Sequence, residues 1–148
     1  MTDTAWDPLR QELARWAQAG RKPVFWLRDD DAVEPTPALD RILSLTERFR
    51  VPLLLASIPA HATQALAERL KSEDRVAVAV HGWSHDNHAP PDQKKQELGS
   101  HRPDSAVLDD LRRGLIRIRR LFGKRAVPVL VPPWNRIDPA LLPALPSL

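Results

Sequence analysis

A chain of 148 residues, 43% of them hydrophobic, is long enough for one domain with its own core. It is short for a closed barrel of eight strand–helix pairs, which takes about 250 residues. There is no cysteine, which excludes a disulfide framework and a thiolate metal site. The net charge of +3 is small, no apolar run approaches the roughly 20 residues of a membrane span, and Met1 to Trp6 lacks the pattern of a signal peptide. A cytoplasmic protein with neither a membrane nor a nucleic-acid partner is expected.

The cations are unevenly placed. Arg112, Arg113, Arg117, Arg119, Arg120, Lys124 and Arg125 crowd one segment. Such a run forms either an anion-binding surface or the solvated face of an amphipathic helix. No aromatic residue alternates with these cations to stack on bases, so the solvated face is preferred.

In chain order, Asp7-Pro8 reads as an N-cap followed by proline at the first helical position. Trp6, Leu9, Leu13 and Trp16 recur at helical spacing, which predicts a packed helix with Gly20 at its C-terminal end. Val24 to Arg28 reads as a strand. Thr36-Pro37 opens a helix with Leu39, Ile42, Leu43, Thr46 and Phe49 on its apolar face. Pro52 to Ile58 is a second strand, apolar throughout as expected when both faces are covered. A helix over about Ala62 to Lys71 turns Leu66 and Leu70 inward, and Val76 to Val80 is a third strand. The polar stretch from Trp83 to Pro103 is too long to be mere connection. Ser105 then caps a helix with Leu108, Leu111, Leu115, Ile118 and Phe122 on one face, closed by Gly123. A fourth strand, Val127 to Val131, leads to a last short helix at Asp138-Pro139.

This alternation predicts a single α/β domain over residues 1–148, with parallel strands joined by right-handed crossovers. Ligands of such folds sit beyond the C-terminal strand ends. The polar interruptions fall there: Asp29-Asp30-Asp31 after the first strand, Ser57 and His61 at the second, His81 after the third, and Pro132-Pro133-Trp134-Asn135 after the fourth.

Three adjacent carboxylates repel one another, which a solvated loop, a bound cation or a shifted pKa relieves. Thr36 already caps the next helix, so a metal-binding or catalytic role is preferred for the aspartates. His81 and His85 face the same way if a helical turn follows the strand. Imidazole is a common metal ligand, and three protein ligands plus a water make a catalytic zinc site. A histidine pair on a helix surface is the plainer reading, but the apolar strand before this one and the acidic cluster opposite favour ligation. His88 reads as a substrate contact or a surface residue; His61 and His101 read as surface residues. Pro132 and Pro133 fix the backbone so that the Trp134 amide points in a preset direction, as an oxyanion donor requires. A turn holding an aromatic plug accounts for the same residues equally well.

Together these residues resemble the polysaccharide deacetylase family, carbohydrate esterases with the NodB homology domain (family 4). The family's Thr-Phe-Asp-Asp-Gly motif is similar to Leu27-Arg28-Asp29-Asp30-Asp31. Its His-(Ser/Thr)-x-x-His motif is similar to His81-Gly82-Trp83-Ser84-His85, and its Arg-x-Pro-(Tyr/Trp) motif to Val131-Pro132-Pro133-Trp134. The resemblance covers roughly Val24 to Asn135. It implies a distorted barrel of parallel strands with helices outside. It also implies a divalent metal, most simply zinc, held by Asp30, His81 and His85, with Asp29 as general base. A water activated by the metal would attack an acetamide carbonyl while the Trp134 amide holds the oxyanion. Asp31, His88, Pro133, Asn135 and Arg136 would line the substrate side.

Three departures change the expectation. Asp31 stands where the family has glycine, which allows a second register with Asp30 as base and Asp31 as ligand; the first is preferred because it keeps the pair nearest the strand end. Val131 replaces the arginine that orients the base, leaving Arg28 or Arg136 as substitutes. The family's later motifs, including its general acid, would fall beyond Leu148. A four-stranded part-barrel exposes an edge and an apolar flank, so self-association or a longer parent chain is expected. The activity implied is removal of an acetyl group from an N-acetylated sugar or similar small amide. The alternatives are a non-catalytic metal-binding or interaction module of the same fold, and a metal-dependent hydrolase of another bond.

Overall fold

The computed structural model describes residues 4–148. Helix α1 (Asp7–Gln18) precedes four parallel strands, β1 (Leu27–Ala32), β2 (Leu53–Ser57), β3 (Val76–Val80) and β4 (Ala126–Leu130), which lie in the sheet in sequence order. Helices α2 (Pro37–Phe49), α3 (Gln64–Leu70) and α4 (Asp104–Phe122) make the crossovers. The expected α/β architecture of parallel strands alternating with helices is the one found.

Apolar composition sets the order of burial. The two central strands, Leu-Leu-Leu-Ala-Ser and Val-Ala-Val-Ala-Val, are the most apolar and the most deeply buried. Leu53, Leu55, Val76, Val78 and Val80 pack against Leu39 and Leu43 of α2, Leu66 and Leu70 of α3, and Ile118 and Phe122 of α4. Each such side chain contributes about 1.5–3 kcal/mol when fully buried. The opposite face carries a smaller cluster of Ala56, Ala79 and Val131. Two helix starts are capped as their sequences require: Thr36 Oγ1 accepts from the Leu39 amide at 3.1 Å and Thr63 Oγ1 from the Leu66 amide at 3.2 Å.

Several expected boundaries move, each for a local reason. The first strand does not occupy Val24 to Arg28; it starts at Leu27 and runs through the aspartates. Val24, Phe25 and Trp26 are instead 91%, 68% and 63% exposed. The expected packed stripe of α1 is likewise absent, since the helix buries no residue, and Asp7 is its first residue rather than its cap. α4 begins at Asp104 after Pro103, with no side-chain cap from Ser105. The last short helix is a 3-10 helix over Pro139–Ser147, because Pro143 and Pro146 lack the amides an α-helix needs. Of the basic segment, Arg112, Arg113, Arg119 and Arg120 are exposed, but Arg125 is buried and donates to the carbonyls of Glu73 and Lys71. Among the described residues, no helix is long and apolar enough to cross a membrane.

Candidate metal centre

The strand ends bring the site together. On β1, Asp29 pairs with Leu55 and Ala32 with Ser57, so Asp30 and Asp31 oppose the single residue Ala56. This is a β-bulge, which re-aims side chains at a strand end. Asp31 takes a left-handed backbone, with φ of 67°, a region that aspartate tolerates better than most residues. After β3 the chain does not make the expected helical turn. Gly82 and His85 adopt φ of 61° and 62°, and these two left-handed residues bring the imidazoles of His81 and His85 to a centroid separation of 5.0 Å.

Asp31 Oδ1 lies 3.0 Å from His81 Nε2 and 3.3 Å from His85 Nε2. The ligand atoms of these three residues all fall within 4.8 Å of one another. Asp30, the ligand expected in the preferred register, is not in this cluster; the bulge carries Asp31 there instead.

The hydrogen bond behind His81 decides its chemistry. Nδ1 is 2.8 Å from the Val131 carbonyl oxygen, an acceptor only, so Nδ1 carries the proton. In the neutral ring Nε2 then presents a lone pair to a carboxylate oxygen at 3.0 Å. A pair at that distance is held either by a cation shared between the two atoms or by a proton on Nε2. Two imidazole nitrogens and one carboxylate oxygen suit zinc, and the 62% exposure of the Asp31 side chain leaves an open side for further ligands. The residues present fit such an ion.

The neighbouring aspartates are held differently. Arg28 Nε stands 2.9 Å from Asp30 Oδ1, and Arg28 Nη2 donates to Asn135 Oδ1 at 3.1 Å. Arg28 thus ties β1 to the turn after β4. Burial, with the charges of Asp30 and Asp31 adding, pushes the Asp29 carboxyl above the usual carboxylate range.

Pro133 is buried, and Trp134 and Asn135 have left-handed φ of 52° and 55°. The Asn135 and Arg136 amides donate to the carbonyls of Pro132 and Pro133. The Trp134 ring lies 4.2 Å from the His85 ring, tilted by 55°, so the turn after β4 forms one wall of the site. Lys95 Nζ stands 6.0 Å from the Trp134 ring centre, and Arg136 donates to the Lys95 carbonyl at 2.9 Å. His88 is exposed and outside the cluster, 3.2 Å from Arg102. Ser57 carries structure: its hydroxyl donates to the Ala32 carbonyl and its own carbonyl accepts from the His81 amide. Glu97, which no sequence pattern singles out, is buried against the histidine loop and accepts from the Trp83 and Ser84 amides at 3.1 and 2.8 Å.

No protein-family model and no curated protein matches the sequence. Solved structures do match. The Xyl-CE4 domain of a multidomain xylanase from the hindgut metagenome of Trinervitermes trinervoides superposes with a TM-score of 0.57 at 14% identity, over 78% of this chain and 51% of that one. IcaB from Ammonifex degensii superposes with a TM-score of 0.63 at 14% identity, over 86% of this chain and 58% of that one. The chain thus shares the fold of this CE4 domain and of IcaB, the parallel strands alternating with helices that the motifs implied. The chain spans between half and three-fifths of the length of these two structures.

Proposed function

We propose that the chain is a metal-dependent hydrolase that removes an acetyl group from an N-acetylated sugar or similar small amide. The observation that carries this reading is the convergence of Asp31, His81 and His85, with the His81 tautomer set by the Val131 carbonyl. The fold shared with the CE4 domain supports a carbohydrate substrate.

Asp31, His81 and His85 are the ligand set, and zinc is the ion these donors favour. A bound divalent cation supplies Lewis acidity, polarising a carbonyl oxygen and bringing the pKa of water to about 7. Asp30, oriented by Arg28, is the general base that accepts the proton of the attacking water. This is the second of the two registers, with Arg28 in the part of the arginine that Val131 replaces. Protonated Asp30 then returns the proton to the leaving nitrogen, which gives acetate and a free amine. The amide of Trp134, held in its left-handed turn, donates to the developing oxyanion. Its ring, set against His85, forms the wall beside the acetyl group. Asn135 and Arg136 continue that wall toward the rest of the substrate.

The test is metal analysis of protein purified without chelator, followed by acetate release from N-acetylglucosamine and its oligomers. One equivalent of zinc and acetate release that Asp31→Asn abolishes are expected. Bound zinc with no acetate from any acetylated substrate would leave a binding module; no bound metal would end the reading.

A further inference from the structure

Glu97 is 1% exposed, lies sixteen residues beyond His81, and takes no part in the chemistry proposed above. Oε1 accepts from the backbone amides of Trp83 and Ser84 and lies 3.4 Å from the Ser84 hydroxyl. Oε2 is buried without a hydrogen-bond partner among the described residues. It occupies the space above Gly82 that any larger residue's Cβ would need, with Pro133 Cγ 2.7 Å from the same point.

The backbone around Glu97 is anchored on both sides. Asn87 Oδ1 accepts from the Ala89 and Gln96 amides, and the His88 amide donates to the Gln96 carbonyl, closing the neck of the loop. Leu98, 1% exposed, bridges to Ile137, and its carbonyl accepts from the Asp138 amide at 2.8 Å. Glu97 therefore stands on a fixed base, between the histidine loop and the turn that carries Trp134.

We infer that Glu97 is the positioning residue of the metal centre: its carboxylate caps the Trp83 and Ser84 amides and holds the left-handed loop that sets His81 and His85 at ligand distance. A loop with left-handed backbone at Gly82 and at His85, a non-glycine residue, stays in place only where its surroundings over-determine it, and a buried carboxylate accepting the two amides between them does so. The inference rests on the metal-ligand reading of Asp31, His81 and His85.

The test compares zinc dissociation constants, by competition with a chromophoric chelator, and the visible spectrum of the cobalt-substituted protein. Wild type, Glu97→Ala and Glu97→Gln are measured alongside far-UV circular dichroism of the metal-free forms. Glu97→Ala is expected to bind zinc tenfold or more weakly, in the range of lost outer-sphere partners, with an altered cobalt spectrum and unchanged helix content. Glu97→Gln keeps the accepting oxygen and is expected to stay within threefold of wild type. If Glu97→Ala does not fold, Glu97→Met, which fills the space without an acceptor, is held to the same threshold. A folded, acceptor-free variant binding zinc as wild type does would overturn the inference alone, as would Glu97→Gln binding as weakly as Glu97→Ala. Wild type without zinc affinity would overturn it together with the metal reading.

Discussion

Asp29, Asp30 and Asp31 are adjacent and chemically identical, yet the bulge on β1 gives each a different neighbour. Asp31 meets the two imidazoles, Asp30 meets Arg28, and Asp29 sits in a partly buried place beside both charges. Their amide variants should therefore separate. Asp31→Asn should weaken zinc binding by at least tenfold, read by chelator competition. Asp30→Asn should keep the metal and lose about a hundredfold or more in turnover, the usual worth of a general base; equal losses in Asp29→Asn would restore Asp29 to that role. In metal-free protein the raised Asp29 pKa has a definite sign. The fold prefers the protonated carboxyl, so its contribution is fully present below the ordinary value of about 3.9 and is lost as pH rises through the raised one. Urea melts of chelator-treated protein should show wild type losing stability relative to Asp29→Asn across that window.

The left-handed turn after β3 is the most demanding single element. Gly82 combines a φ of 61° with the close approach of Glu97 and Pro133, so Gly82→Ala adds both backbone strain and a clash with buried atoms. A loss of about 2–4 kcal/mol in urea unfolding is expected, with weaker zinc binding. A neutral result would mean the loop moves freely and is not held as described. The elements that were legible in the sequence share one property: their pattern and their burial have the same cause. β2, β3, α2 and α3 are apolar where they touch the core, and Thr36 announces its helix by capping it. Val24 to Trp26 and the α1 stripe misled because apolar spacing predicts packing only where something lies opposite. At the candidate site, the convergence of the two histidines was readable from their place after an apolar strand. The choice between Asp30 and Asp31 was not, because a bulge of one residue leaves no mark on composition. Glu97 was hidden for a related reason, since a carboxylate in a polar loop reads as solvated until the fold closes over it.

At the scale of the molecule, β1 and β4 are the outer strands of the sheet, and apolar side chains lie exposed beside them: Val24, Phe25 and Trp26 before β1 and Val129 on β4. Unpaired strand edges beside such groups favour association. Light scattering over a concentration series should show oligomers that Phe25→Lys combined with Trp26→Lys disperses. A chain that stays monomeric at every concentration would remove that expectation. The proposed metal centre has its own consequence at this scale. Asp31 lies on β1 and His81 directly after β3, two strands that are not neighbours, and roughly fifty residues of chain separate them. An ion shared between them would close β1, α2, β2, α3 and β3 into one ring, in a protein with no cysteine to form a covalent tie. Removing zinc should therefore lower the melting temperature of the whole sheet rather than loosen one loop, by an amount that grows with the logarithm of the free zinc withdrawn.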